Sequence, residues 1–490
     1  MAAYVLAQAD VTPEKSALEV LHPDRADIWT YRALSNAVMA TAGGLQSLGL
    51  NKGDLILLRI GNHVDFPVLY LAAIAAGFVP VPTSSQLTDH EVRALIAELG
   101  PKLVVFGAAI TPFETRCAQI GPHEIAALRR HAPGAVDWGD PDRLAYIVMT
   151  SGTSGKPRAV QHAHRAVWAR RMMWDGWYGL TDSDRLLHAG AFNWTYTLGT
   201  GLMDPWAIGA TALIPDPTAA RAEFPELLKK YHASIFAAAP GVYRQMLRSE
   251  SQFVLPDFRH GLSAGEKLPA AVHSAWRDRT GTEIFEALGM SEVSTFISSA
   301  PGSPCPVGTS GRVQAGRRVA VLDPLDGTPV AVNRPGILAV SRRDPGLMLG
   351  YRHAPDATAE KFRGEWFLTG DMVKMDAAGH VTYLGRNDDM MNAGGYRVSP
   401  LEVEAVLNDF DGIQDTAAVS VEIKPDTFII AAFYQSDAEY THADLTAFCA
   451  ARLARYKCPR LFQRVDALPK GANNKLKRGA LREMFGKTDD

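Results

Sequence analysis

Apolar and polar positions along the first 250 or so residues switch repeatedly between a helical period and a strand-like one. Residues 32–50 predict an amphipathic helix, and DLILLRIG (54–61) then predicts a buried strand. Residues 65–76 predict a second helix, and VPVP (79–82) the strand after it. Residues 95–99 close a further helix with Gly100 as its stop, and KLVVFG (102–107) is the next strand. The alternation resumes with a helix at 164–177, strand 212–214, helix 224–231, strand 234–240 and helix 242–247. Strands alternating with helices at this spacing indicate parallel α/β sheets. The longest apolar run, VLYLAAIAAGFVPV (68–81), is too short to span a bilayer and ends at prolines. It is a buried helix, stopped at Gly77, followed by a strand.

From about residue 301 the texture changes. RRVAVLD, GILAV, GEWFLTGD and GHVTYLG are short β-like runs set off by Gly and Asp, which predicts a small antiparallel, barrel-like β region. GRNDDMMNAGGYR (385–397) is polar and glycine-rich, as a hinge would be. Beyond it come helix 400–408, the strands AAVSVEI and TFIIAAFY, helix 443–455 and a basic tail. That is a compact α+β unit of about a hundred residues. The expected division is a large N-terminal domain, 1–385, and a small mobile C-terminal domain, 386–490.

Composition narrows the function class. A chain of 490 residues exceeds one ordinary core, and 47% hydrophobic with 21% charged residues suits a soluble enzyme. A net charge of −3 leaves no electrostatic footprint for nucleic acid. The four cysteines, Cys117, Cys305, Cys449 and Cys458, are scattered without a C-x-x-C, so a zinc site or disulfide framework is not expected. The N-terminus has no basic n-region, and the expected location is cytoplasmic, without a membrane span. The oligomeric state is left open, a homodimer included.

The stretch YIVMTSGTSGKP (146–157) carries the first chemical signal. An apolar, β-leaning run feeds a loop of hydroxyls, two glycines and one lysine. Gly152 and Gly155 let backbone N–H groups face an anion, Thr150, Ser151, Thr153 and Ser154 add donors, and Lys156 adds a point charge. It is not a Walker A loop, since Gly152 lies only three residues before Gly155 and Pro157 discourages a helix straight after Lys156. Taken alone, it is either a different phosphate loop or a flexible surface turn.

Other stretches settle the choice by their order. TSGTSGKP is followed by SAGEKLP (263–269), GMSE (289–292), WFLTGD (366–371), GRNDD (385–389), GGYRVSPLEVE (394–404) and LPKGANNKLKR (468–478). In this sequence of motifs the whole chain resembles the adenylate-forming superfamily of acyl-CoA synthetases, peptide-synthetase adenylation domains and firefly luciferase. On their own, Glu292 would be a surface acid, Asp371 a turn aspartate and Lys475 part of a solvated basic face. The resemblance implies ATP, Mg2+ and coenzyme A as cofactor and cosubstrates. It implies that residues 150–156 hold the β- and γ-phosphates, with Gly265, Glu266 and Leu288 around the nucleotide. Ser291 would bond the α-phosphate, and Glu292 would ligate Mg2+ as a hard oxygen donor. Asp371 would accept both ribose hydroxyls, Arg386 would contact ribose or phosphate, and Lys475 would bring its ammonium to the reacting oxygens. Asp388 falls at the superfamily's hinge, and Gly394 and Gly395 would leave a tunnel for pantetheine.

Three positions depart from the pattern. Leu288 stands where an aromatic residue usually stacks on adenine, Asn474-Lys475 replaces Gly-Lys, and Arg158-Ala159 replaces the loop's later Lys-Gly. His162-Ala-His164 has metal-ligand character, but no third ligand is spaced nearby, so a structural role is expected.

The acid itself should meet FNWTYTLG (192–199), AAAPGVY (237–243) and SAG (263–265). Trp194 and Tyr196 are large, Ala239, Ser263 and Gly289 are small, and none of the three segments holds Arg or Lys. A compact apolar pocket suits a small-molecule carboxylic acid that is benzoate-like or a short-to-medium aliphatic chain. Phe192 is as readily core as pocket. Asn193 stands where amino-acid-activating relatives carry an Asp, and an amide cannot neutralise an ammonium. The stretch resembles aryl-acid–CoA ligases, so coenzyme A is the favoured acceptor. Loading of a separate carrier protein and a non-catalytic nucleotide-binding relative are the alternatives.

Overall fold

The computed structural model describes residues 1–150, 158–216, 218–248, 253–393, 396–424, 427–471 and 476–485. Backbone contacts divide the chain into two compact units, Met1–Arg318 with Ser341–Glu365, and Val319–Val340 with Trp366–Asp490. The expected boundary at Gly385 falls inside the second unit.

The first unit contains the strands β1 (Ser16–Leu21), β2 (Ala26–Thr30), β3 (Leu55–Arg59), β4 (Val79–Pro82), β5 (Leu103–Phe106), β6 (Ala118–Ile120), β7 (Leu144–Thr150) and β8 (Arg158–Ala163). They are followed by β9 (Arg185–His188), β10 (Thr211–Pro215), β11 (Ile235–Ala238), β12 (His260–Ala264), β13 (Ile284–Met290), β14 (Ser294–Ser298) and β15 (Gly311–Val313). One sheet has the order β4-β3-β5-β6, all parallel. In the other the order is β15-β14-β13-β12-β11-β9-β10-β1-β2, parallel from β13 to β1 and antiparallel at both ends. The helix 65–75 is buried all round, which is why its sequence is apolar without a polar stripe. The helix Tyr31–Gln46 is instead amphipathic, and Thr30 caps it by accepting from the Ala33 amide. Gly100 ends the helix Asp89–Leu99 at φ +63°, the left-handed C-cap that glycine adopts without Cβ strain.

One expected element is corrected. Residues 164–177 do not form a continuous helix but a short helix, Ala166–Ala169, and then a π-helical turn, Trp174–Tyr178. The wider turn brings Met173, Trp177 and Tyr178 all to the interior, which a regular 3.6 period would not do. A second π turn, Gly199–Met203, packs nearby in sequence to the buried Asp204.

In the second unit, Val319–Leu322, Gly336–Ser341, Trp366–Met375 and His380–Arg386 follow one another as neighbouring strands, the small β region expected from the sequence. Helices Pro400–Asn408 and His442–Ala450 pack with the hairpin Ile413–Lys424/Thr427–Ser436 around Val403, Leu407, Ala418, Tyr434 and Leu445. The second of these helices stops at Ala450, five residues short of the expected end, and a single 3-10 turn, Arg455–Lys457, follows.

Candidate active site

The sequence-derived site residues of the first unit gather at one end of its long sheet. β9, β11, β12 and β13 are parallel neighbours. Just beyond their carboxyl ends stand Asn193, Trp194 and Tyr196 after β9, Ala239 after β11, and Gly265 and Glu266 after β12. Leu288 and Gly289 complete the row on the last residues of β13. The carboxyl ends of parallel strands are where open α/β sheets bind ligands, because helices and loops there leave a crevice. Asn62, from the end of β3, pins the β9 loop by donating to the Gly190 carbonyl at 2.8 Å and accepting from the Phe192 amide at 2.9 Å. Phe192 itself is core: its ring is buried against Phe66.

Tyr196 stacks on Trp177 at 5.6 Å, meets His188 edge-on at 4.4 Å, and donates to the Leu262 carbonyl at 3.2 Å. On its face of the sheet, Ile235, Leu262 and Phe285 are followed toward the carboxyl ends by the small Ala237, Ala264 and Ala287. Alternation along β12 turns Ser263 to the opposite face, beside Ala238, where it is fully buried. Between these two residues it is therefore Ala264 that shares the Tyr196 face.

The segment GMSE forms a tight hairpin. Met290 pairs with Ser294, the Val293 amide donates to the Met290 carbonyl, and Ser291, Glu292 and Val293 make the loop. Gly289 is required by close approach, since a Cβ there would lie 2.6 Å from the Ser294 carbonyl oxygen. Ser294 closes the loop at φ +73°, a left-handed conformation that is strained for a residue with Cβ. It is held there by Arg170, whose Nη1 donates to the Ser294 hydroxyl at 2.6 Å. Arg170 is buried and paired with Asp204, with Nη2–Oδ2 at 2.6 Å and Nε–Oδ1 at 2.9 Å. Tyr178 adds a hydrogen bond to Asp204 at 2.9 Å. Burial opposes the Arg170 charge, but Asp204 and Tyr178 outweigh it and hold its pKa above the ordinary arginine value.

Two further groups fix the loop. His162, on β8, donates from Nε2 to the Ser291 carbonyl at 2.7 Å and stacks on Tyr146 at 4.9 Å. Burial pushes its pKa down to about 4, so the ring is neutral at pH 7. Tyr351 donates to Glu292 Oε1 at 2.7 Å, and the Glu292 carbonyl accepts from the Met348 amide at 2.8 Å. Glu292 Oε2 has no hydrogen-bond partner among the described residues.

His162 and His164 do not converge. His164 instead lies by the N-terminal amine and Arg143, at 3.3 Å from each. Among the described residues no group of three or more His, Cys, Asp or Glu could hold a metal. A single carboxylate is still a fit for Mg2+, which keeps most of its water and takes one or two protein oxygens beside phosphates. The open Oε2 of Glu292 would be such a donor.

Residues 151–157, expected to hold phosphate, lie outside the described residues, Lys156 among them. Thr150 and Arg158, at the ends of β7 and β8, are paired antiparallel, so a strand and not a helix follows Pro157. Gly394, Gly395 and Lys475 are likewise outside the described residues.

In the second unit, Asp371 and Arg386 are directly opposite each other on adjacent antiparallel strands. Arg386 Nη1 donates to Asp371 Oδ1 at 3.2 Å and to the Thr369 carbonyl at 3.0 Å, while its Nε lies 3.4 Å from Asp388. Gly370, at φ +83°, leaves room for the guanidinium, which a Cβ would approach to 2.7 Å. The structure thus joins Asp371, Arg386 and Asp388 into one charged group.

Residues 5–352 match the AMP-binding enzyme family, and residues 402–475 match the AMP-binding enzyme C-terminal domain. The chain belongs to the AMP-binding enzymes. It is 32% identical to a 4-hydroxybenzoate–CoA/benzoate–CoA ligase of Rhodopseudomonas palustris, over 93% of this chain and 89% of that one. It is 29% identical to a benzoate–CoA ligase of Thauera aromatica, over 95% and 92%. A solved benzoate CoA ligase from Burkholderia xenovorans LB400 superposes with a TM-score of 0.87 at 27% identity, covering 98% of this chain and 99% of that one. These matches bear out the resemblance and the fold class read from the motifs. Among the described residues no helix is long and apolar enough to cross a membrane.

The sequence did not single out Arg170, Asp204, Ser294 or Tyr351. Each lies in a stretch without a distinctive local signal, and each acquires its role from a partner distant in sequence. His162 was noted for metal character, but its position on the Ser291 carbonyl is legible only in three dimensions.

Proposed function

We propose that this AMP-binding enzyme is an acid–CoA ligase for a small apolar carboxylic acid of the benzoate class. ATP and the acid form an acyl-adenylate and pyrophosphate, and the thiol of coenzyme A then displaces AMP. The observation that carries the reading is the row of site residues beyond β9, β11, β12 and β13, beside the Ser291–Glu292 hairpin. Its support is the kinship with benzoate–CoA ligases.

A carboxylate resists a thiol because its leaving group would be oxide, and transfer of AMP supplies a better one. Catalysis is then positioning and stabilisation of charge at the α-phosphate. In this reading residues 150–156 hold the outer phosphates, Ser291 bonds the α-phosphate, and Asp371 with Arg386 holds the ribose. Leu288, Gly265 and Glu266 border the nucleotide. Mg2+, ligated by Glu292, would neutralise phosphate charge. Lys475 brings its ammonium to the oxygens between acyl group and phosphate. Trp194, Tyr196, Ala239 and Gly289 bound the acid, with Ala264 as the wall at the position expected for Ser263. The mobile body begins after Gly385, turns at Asp388, and admits coenzyme A past Gly394 and Gly395. The setting is the cytoplasm.

The test is a pyrophosphate-release screen over aromatic, alicyclic and aliphatic acids with ATP, Mg2+ and coenzyme A. An apolar monocarboxylate should rank first, with acyl-CoA as product. A dicarboxylate or free amino acid ranking first, or adenylate formed with no thioester, would overturn the substrate or the acceptor respectively.

A further inference from the structure

Between the loop strand β8 and the Glu292 hairpin runs a short segment, residues 348–352, that hydrogen-bonds to both. The Leu349 amide donates to the Gln161 carbonyl at 2.8 Å and the Arg352 amide to the Ala159 carbonyl at 2.9 Å. Gly350 and Tyr351 pair with Gln161 and Val160. On the other side the Met348 amide donates to the Glu292 carbonyl. The Tyr351 amide is itself fixed by the Thr358 hydroxyl at 2.9 Å. The ring is therefore held by backbone bonds on three sides, and it is buried.

From this mount the phenol reaches Glu292 Oε1 at 2.7 Å. The guanidinium of Arg158 lies over the ring of Tyr351, 5.0 Å from its centroid. Arg158 is the first residue of β8, immediately after residues 151–157. The order is thus Arg158, Tyr351, Glu292, with the phosphate-loop strand at one end and a half-occupied carboxylate at the other. A carboxylate on a three-residue hairpin has several rotamers, and a donor on one oxygen selects among them while leaving the other oxygen for a ligand. An arginine also suits this place better than a lysine, because its planar, weakly hydrated head can lie flat over an aromatic ring.

We infer that Tyr351 is a positioning residue that orients the Glu292 carboxylate toward a divalent cation, and that Arg158 fixes Tyr351 in turn. The inference rests on the reading of Glu292 as the metal ligand. Partners that orient a metal ligand typically carry 10–100-fold in metal affinity.

The experiment measures Mn2+ binding by electron paramagnetic resonance, on whole enzyme with α,β-methylene ATP, which cannot release pyrophosphate. It is paired with the Mg2+ concentration for half-maximal pyrophosphate release. Tyr351→Phe keeps the ring and loses the hydroxyl. It should weaken Mn2+ binding about tenfold and raise the Mg2+ requirement by a similar factor, with KM for the acid unchanged. Arg158→Gln, which keeps the phenol, should shift both in the same direction by less. Glu292→Gln should shift both most. If Glu292→Gln weakens the cation while Tyr351→Phe and Arg158→Gln leave it unchanged, the positioning role is overturned and the metal ligand stands. If Glu292→Gln also leaves the cation unchanged, both fall. Should Tyr351→Phe fail to fold, Arg158→Gln decides by the same criteria.

Discussion

The imidazole of His162 donates to the Ser291 carbonyl over 2.7 Å, tying the strand that follows residues 151–157 to the hairpin that carries Glu292. His162→Leu keeps the bulk over Tyr146 but leaves that buried carbonyl unpaired, at a cost of about 1–3 kcal/mol. The expected outcome is a lower melting temperature and at least a tenfold loss in ATP–pyrophosphate exchange. His162→Gln, which keeps a donor, should recover part of both. Equal activity in wild type and His162→Leu would show that the tie is dispensable.

Arg170 and Asp204 are almost wholly buried, with side-chain exposures of 5% and 2%. Breaking such a pair leaves an uncompensated charge, typically worth about 3–5 kcal/mol. Asp204→Asn should lose that much stability in urea denaturation, and Ser294→Gly should lose little, since glycine accepts the left-handed backbone. A loss under about 1 kcal/mol for Asp204→Asn would mean the network is not a structural keystone.

His260 donates from Nε2 to the Tyr178 carbonyl at 2.8 Å, and burial pushes its pKa down to about 4. His188 is pushed down to about 3, again chiefly by burial. Between pH 6.5 and 4 the unfolded chain therefore binds protons that the native protein does not, so stability rises with pH through that window. His260 alone should contribute about 3 kcal/mol of loss on acidification across it. Denaturation midpoints of wild type and His260→Gln, followed from pH 7 to pH 4, should converge as pH falls. Parallel curves would refute the protonation linkage.

The two half-reactions separate the roles of Lys475 and Asp388. Lys475→Ala should cripple acyl-adenylate formation and largely spare thioester formation from chemically made acyl-adenylate. Asp388→Pro fixes a backbone dihedral at the expected hinge and should do the reverse. If Lys475→Ala blocks both steps equally, or Asp388→Pro blocks neither, the alternating use of the C-terminal body is wrong.

Trp194 is half-buried, beside the fully buried core residue Phe192. Trp194→Ala should widen the acid range toward bulkier ring substituents in the same screen. An unchanged ranking would return Trp194 to the core.

The alternation of strand and helix was legible because each buried strand or amphipathic helix carries its own local period. This is why residues 54–61, 65–76 and 79–82 could be read directly, and why Gly100 marked a helix end. The motifs were legible for a related reason: each sets its glycines, hydroxyls, carboxylates or lysine within a few consecutive residues. The break in the helix at 164–177 was not legible, because the π turn is selected by what Trp177 and Tyr178 meet inside, not by local propensity. Nor was the face of Ser263, since a strand's two faces are told apart only by what packs on each. Arg170 with Asp204, His162 with Ser291, and Tyr351 with Glu292 are pairs 34, 129 and 59 residues apart. Only the tertiary structure could assign them, because a buried polar group is defined by the partner that satisfies it, and the chain gives no local record of that partner.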